Sequence, residues 1–249
     1  MQVAGMTNRG LERSRNEDSC FVRADTDMAL LVVADGMGGH QAGDVASSMA
    51  VSAAEKLWND LNRSAPLSMK KARTVVEKLV REANRQIMEE AGSSTARQGM
   101  GTTLTTGLLY GKELTIGHIG DSRAYKISKG KIELLTRDHS LVEHLVESGQ
   151  IKPEEARHHP QRHVLTRALG ISPDPEVDLI QVEIEPDALL LFCTDGLTGL
   201  VSEDEILAAA SKQPDPKLLA ETLIDLANAR GGHDNITVVI ATGIGGQKD

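Results

Sequence analysis

The chain has 249 residues, 40% apolar, 25% charged and only 2% aromatic, with a formal net charge of −9. Such a length suits one large domain or two small ones and leaves ample chain for a buried core. The acidic balance and scarcity of aromatic rings argue against a general binder of nucleic acid or anionic membranes, because such binding rests on Lys, Arg and stacking platforms.

Residues 1–29 hold two weak strand candidates around the polar segment RSRNEDS. Residues 30–34 are a continuous apolar run, the pattern of a strand buried on both faces. The glycine-rich loop Gly36-Met37-Gly38-Gly39-His40 follows. From Ala42 onward, Val45, Met49, Ala53, Leu57 and Leu61 recur at helical spacing. A second helix is expected from about Pro66 to about Glu90, with Leu67, Val75, Val76, Leu79, Val80, Ala83 and Ile87 inside it; GSSTARQGMG then reads as loop. Short strands are expected at 102–109, 114–119, 124–127 and 132–135, punctuated by Gly111-Lys112 and Lys129-Gly130-Lys131.

Residues 138–170 break this pattern. They are polar, His-rich and partly helical around 141–147 and 153–156, as expected of an insertion that covers a sheet edge as a substrate flap. Ile180, Val182 and Ile184 then alternate with polar residues, a half-exposed strand. Pro186-Asp187 turns into a buried strand at 189–193. Helices are expected at 203–211 and 216–229, the first opened by a capping box of Ser202 and Glu205. A strand over 235–241 closes the series. With no internal repeat or low-complexity linker, one domain over 1–249 is expected, with a flap subdomain at about 138–170. Strand runs with paired long helices outside them predict an α+β fold: a central antiparallel β-sandwich flanked by helices on both faces.

The two cysteines, Cys20 and Cys193, form no CxxC pair, which favours a reducing compartment over a zinc site or disulfide framework. The N-terminal MQVAGMTNRG lacks a signal-peptide apolar stretch, and no run of about 18 apolar residues exists. The expectation is a soluble, cytoplasmic monomer.

Three apolar runs end on an aspartate beside a glycine, at Asp35-Gly36, Gly120-Asp121 and Asp195-Gly196, and Asp234 in GGHDN precedes a fourth run. A single Asp-Gly is usually just a turn. Several at strand ends bring carboxylates together, and these repel one another unless a cation neutralises them; hard oxygen donors suit Mg²⁺ or Mn²⁺. Asp121 has two readings: ligand of an outer third ion shared with Asp195, or strand-end partner of Ser122 and Arg123. Asn235 could cap a turn, and His233 is an alternative ligand that an all-oxygen site does not need. Arg13 is a candidate phosphate clamp, since guanidinium binds two phosphate oxygens at once. Glu17 and Asp18 are candidates to hold metal-bound waters; the alternative for this segment is a solvated charge run.

In this order, RSRNEDS, VVADGMGGHQAGDVAS, GMGTTL, HIGDSRAY, TRDHS, HVLTRALG, FCTDGL and GGHDNITVV resemble the metal-dependent protein serine/threonine phosphatases of type 2C, bacterial branch. The resemblance spans residue 3 to about 242, and its specificity lies in the ordered set rather than in any one motif. It implies a β-sandwich with helices on both sides. It implies two Mg²⁺ or Mn²⁺ ions bridged by Asp35, with the Gly36 carbonyl completing the second site and Asp195 and Asp234 the first. Asp18 would reach the second site partly through water, Asp121 and Asp195 would hold a third ion, and Arg13 would bind phosphate. The implied activity is hydrolysis of phosphoserine and phosphothreonine in proteins phosphorylated by a serine/threonine kinase. A water bridging two ions attacks directly, with no phospho-enzyme, and no CxxxxxR phosphate loop occurs in the chain.

One position departs from the family pattern. Animal members carry a His directly after the Asp-Gly, proposed as general acid; here it is Met37, which cannot donate a proton. His40, His163 and a water on the third ion are alternatives. A metal-dependent nuclease is disfavoured by the net charge of −9, and a pseudophosphatase by the presence of all four strand-end aspartates.

Overall fold

A computed structural model of the chain describes residues 1–38, 42–61, 67–156 and 159–244. The strands are β1 (Gln2–Asn8), β2 (Asp18–Ala24), β3 (Met28–Met37), β4 (Gly101–Thr102), β5 (Leu104–Tyr110), β6 (Glu113–Ile119), β7 (Arg123–Ser128), β8 (Lys131–Leu134), β9 (Asp178–Glu183), β10 (Leu189–Cys193) and β11 (Ile236–Thr242). The helices are α1 (Gly43–Asp60), α2 (Met69–Ser93), α3 (Leu141–Glu147), α4 (Pro153–Ala156), α5 (Asp195–Thr198), α6 (Glu203–Lys212) and α7 (Pro216–Ala229).

The strands form two antiparallel sheets, one in the order β1-β11-β10-β7-β8 and one in the order β2-β3-β5-β6-β9, with β4 attached to β3. Their packing follows from strand periodicity. On β3, Ala29, Leu31 and Val33 point inward and share a buried cluster with Leu190, Phe192, Val239 and Ala241 of the other sheet. The alternate residues Leu30, Val32 and Ala34 face outward against Ala46 and Ala50 of α1 and Val76 and Val80 of α2. The opposite layer repeats the arrangement: Leu191, Cys193, Val238 and Ile240 face Ile206 of α6 and Leu219 and Leu223 of α7. The continuous apolar runs of β3, β10 and β11 are thus buried on both faces, and the architecture is the expected helix-sheet-sheet-helix sandwich.

Helix starts follow their caps. Ser202 and Glu205 form the capping box of α6, and Asp215 caps α7 with Pro216 in its first turn. Helix α2 starts at Met69, capped by Ser68, and runs to Ser93; Pro66, where the sequence suggested its start, lies outside the described residues. Thr95–Arg97 is a 3-10 turn inside the stretch read as loop.

The expected strand 102–109 is broken at Thr103, because that residue is engaged by Asp35. Its amide donates to the Asp35 carbonyl at 2.9 Å, and its hydroxyl accepts from the Asp35 amide at 2.9 Å. The short helix α5 after β10 was also not foreseen. The segment 138–170 leaves the core at Asp138, carries α3 and α4, and returns through isolated bridges of Ser140 to Leu165 and Thr102 to Leu169. Both cysteines are free, and Cys193 is buried in β10. Among the described residues no helix is long and apolar enough to cross a membrane.

Candidate metal centre and active site

Five aspartates meet at one end of the sandwich, supplied by both sheets. Asp18 and Asp35 are cross-strand partners on β2 and β3. Asp195 opens α5 directly after β10, and Asp234 precedes β11 in the opposite sheet. Asp121 lies in the connection between β6 and β7, where the chain crosses from one sheet to the other. A cavity of about 360 Å³ is lined by Asp35, Gly36, Asp121, Asp195, Asp234 and Arg13. A second, of about 420 Å³, shares Asp121, Asp195 and His163 with it and runs on between the 138–170 segment and α6.

The electrostatics are those of crowded acids. Asp35, Asp121 and Asp195 keep partial solvent access at the cavity, yet protein encloses their other sides. Burial, then the charges of Asp18, Asp195, Asp121 and Asp234, push the Asp35 carboxyl well above its ordinary range. Asp121 is raised by burial and then by Asp195 and Asp138. Asp195 is raised by burial and Asp234, against opposing contributions from His163 and a hydrogen bond with Asp35. Burial lifts Asp18 to about 7 even though Thr237 and Thr194 donate to it. Two carboxylate oxygens, Asp18 Oδ1 and Asp195 Oδ1, are buried without a hydrogen-bond partner, an arrangement that costs free energy unless something positive meets them. Among the described residues no three His, Cys, Asp or Glu side chains form a closed ligand group. The donor set is all oxygen, and it fits a hard divalent cation rather than a thiolate- or imidazole-seeking one.

The backbone around these acids is tightly specified. A Cβ on Gly36 would lie 2.1 Å from the Gly43 carbonyl oxygen and 2.5 Å from that of Glu17, so only glycine fits where β3 passes α1. Thr102 Oγ1 donates to the Asp35 carbonyl at 2.9 Å. Asp18 Oδ2 accepts from Thr194 Oγ1 at 2.8 Å and from Thr237 Oγ1 at 2.7 Å, which ties β2 to the opposite sheet. Behind Asp121, the Gly120 amide donates to His139 Nδ1 at 3.2 Å, and His139 Nε2 is 3.1 Å from Asp178. Burial depresses both His139 and its neighbour His118, the latter to about 4.

The two side chains offered as structural partners of Asp121 are hydrogen-bonded elsewhere, although the Arg123 charge still acts on its carboxyl. Arg123 is bound to Asp138 at 2.7 Å, and the Ser122 hydroxyl pairs with that of Thr103 at 2.9 Å. Arg13 Nη2 is 2.7 Å from Asp234 Oδ2 at the cavity edge. Glu17 also lines the cavity. His233 turns away to Glu12, 2.6 Å from its carboxylate. Met37 ends β3 and pairs with Gly101. His163 lines both cavities; His40 lies outside the described residues. Burial lifts the Cys193 thiol to about 12, which removes it as a nucleophile. Thr194, Thr237, Thr103, His139 and Asn235 were not singled out as supports by sequence reasoning, and only their adjacency to the motif aspartates pointed toward them.

A family model for Protein phosphatase 2C matches residues 11–229. The serine/threonine phosphatase stp of Listeria welshimeri is 40% identical over 241 residues, covering 96% of this chain and 95% of that protein. Among solved structures, the S. agalactiae serine/threonine phosphatase superposes with a TM-score of 0.87 at 35% identity, covering 96% of this chain and 98% of the other. The catalytic domain of the serine threonine protein phosphatase PstP, solved in complex with two manganese ions, gives a TM-score of 0.84 at 38% identity over 97% of both chains.

Proposed function

We propose that this chain, which belongs to the protein phosphatase 2C family, hydrolyses phosphoserine and phosphothreonine in proteins at the five-aspartate cluster. Two Mg²⁺ or Mn²⁺ ions would be held there, and a third at Asp121 and Asp195. The observation that carries this reading is the pair of buried, unpartnered carboxylate oxygens inside an all-oxygen donor set drawn from both sheets.

Asp35, the Gly36 carbonyl, Asp18, Asp195 and Asp234 are the groups that would hold the two ions. Ions held there would supply Lewis-acid chemistry, acidifying water and offsetting charge on the phosphoryl oxygens. Asp18 is oriented for its part by the two threonine hydroxyls. Arg13, at the cavity edge, orients the phosphoryl group through its fork of N–H donors. With Cys193 buried and its thiol raised, no thiolate competes as nucleophile, in keeping with direct attack by water. Met37 offers no proton to the leaving alkoxide. His163 lines both cavities, its charge opposes the rise of the Asp195 carboxyl, and we take it as the candidate for that proton. The cavity under the 138–170 flap takes the peptide on either side of the phosphorylated residue.

The test is hydrolysis of a phosphothreonine peptide by purified protein with Mn²⁺ or Mg²⁺, with EDTA and with duplex DNA as a control substrate. Metal-dependent release of phosphate from the peptide, and none from DNA, is expected; full turnover in EDTA overturns the reading.

A further inference from the structure

Residues 9–17 carry Arg13 but belong to no helix or strand, so no ladder of backbone hydrogen bonds fixes them. Thr7, Gly36 and Ser47 hold the end at Asn16 and Glu17, and the stretch around Arg13 is fixed to the turn that carries Asp234. Upstream of Arg13, the amides of Leu11 and Glu12 donate to the Gly232 carbonyl at 2.8 and 3.3 Å. There the two backbones touch: a Cβ on Gly10, whose φ is +75°, would lie 2.1 Å from the Asp234 carbonyl oxygen.

Downstream, the Glu17 carbonyl accepts from Ser47 Oγ at 2.6 Å and from the Gly36 amide at 3.1 Å, and one further side chain bridges both sides of Arg13. Asn235 Nδ2 donates to the carbonyls of Arg9 and Arg15, each at 2.8 Å. Asn235 Oδ1 accepts from the Glu17 amide at 2.7 Å. The residue is 5% exposed, and its whole amide group is directed at the segment that bears Arg13. Its own backbone N–H turns the other way and donates to Asp234 Oδ1 at 2.8 Å. One residue therefore joins the arginine segment to Asp234, the carboxylate that Arg13 itself reaches at 2.7 Å.

We infer that Asn235 is a positioning residue for phosphate binding: it holds the segment so that the Arg13 guanidinium faces the cavity. This rests on the reading of Arg13 as the phosphate clamp. A guanidinium engages two phosphate oxygens only from a narrow range of orientations. Without the Asn235 amide, the carbonyls of Arg9 and Arg15 would turn to water. The tie that spans Arg13 from Arg9 to Arg15 would then be lost.

The experiment compares Arg13→Ala, Asn235→Ala, Asn235→Asp and the double variant Arg13→Ala/Asn235→Ala. The readouts are KM for a phosphothreonine peptide and the inhibition constant of inorganic phosphate. Neither depends on the fraction of active enzyme, so partial unfolding does not imitate the effect. Asn235→Asp keeps the acceptor for Glu17 and removes both donors, which separates the two halves of the fork. Each single variant should raise both constants about tenfold, and the double variant no further than Arg13→Ala alone. Mn²⁺ affinity by calorimetry should stay within about twofold of wild type. If Arg13→Ala leaves both constants unchanged, the clamp reading fails and the inference with it. If Arg13→Ala acts but the Asn235 variants leave the constants unchanged, add fully to it, or abolish Mn²⁺ binding, the inference alone is overturned.

Discussion

Asp18→Asn should stabilise the cation-free protein, and only above acidic pH. Asp18 is 6% exposed, accepts two threonine hydroxyls on Oδ2, and has no partner for Oδ1. Asparagine keeps an acceptor for both threonines and removes the buried charge. Burial raises the folded carboxyl from 3.8 to about 7. Between those values the folded protein retains a proton that the unfolded chain has released, so stability falls as pH rises. Each pH unit of that window costs about 1.4 kcal/mol, which sets a ceiling of about 4 kcal/mol at pH 7 and above. Asp195 and Asp234 supply part of the rise, and the Asp195 carboxyl is itself raised, so about 2 kcal/mol is expected. For a chain of 249 residues this corresponds to roughly 4–8 °C in Tm. Thermal unfolding in EDTA, followed by circular dichroism, should show no advantage for the variant at pH 4 and the full advantage at pH 7.5. Saturating Mn²⁺ should reverse the order, because a ligand that binds the folded state stabilises the better binder more. A variant no more stable than wild type in EDTA at pH 7.5, or equally favoured at both pH values, refutes the reasoning.

Asp35→Asn or Asp195→Asn should lower kcat by at least about two orders of magnitude while circular dichroism shows an unchanged fold; near wild-type turnover would remove the ligand assignment. Asp121→Ala should reduce turnover of a phosphothreonine peptide more than that of p-nitrophenyl phosphate, whose leaving group hardly needs a proton. The comparison is made at saturating Mn²⁺, with Arg162→Ala, a change in the lining of the cavity under residues 138–170, as the control for contacts of that segment. An unchanged ratio with unchanged rates would return Asp121 to a purely structural role.

The strongly patterned elements were legible in the chain. The strand Leu189–Cys193 and the helices Leu141–Glu147, Pro153–Ala156 and Pro216–Ala229 fall where the sequence reading put them, and α6 starts at its capping box. So did the face-to-face packing of sheets, because β3, β10 and β11 are apolar on both sides. The break at Thr103 was not legible, since its cause is a contact with Asp35 across the sheet. Helix α5 is a single turn, too short to show a period. Aspartates at strand ends announced their own convergence. Their supports did not: Thr194 and Thr237 meet Asp18 from 176 and 219 residues away, and Asn235 reaches Glu17 across 218. No local pattern encodes partners at such separations; only the closing of one sheet by the other brings them together.

Strand β1 pairs with β11 along its whole length, Gln2 opposite Thr242 and Asn8 opposite Ile236. During synthesis, at about 5–20 residues per second, the first strand therefore waits on the order of 10–50 seconds for its partner. Until then it is unpaired, and once paired it lies at the outer edge of its sheet, a position that invites pairing with other chains. Gln2, Thr7 and Asn8 remain exposed even after folding, so the waiting strand offers little apolar surface to a stray neighbour. The same order of events brings Asp234 and Asn235, immediately before β11, long after Asp18 and Asp35. The aspartates of the two sheets therefore come together only once β11 has been made and paired.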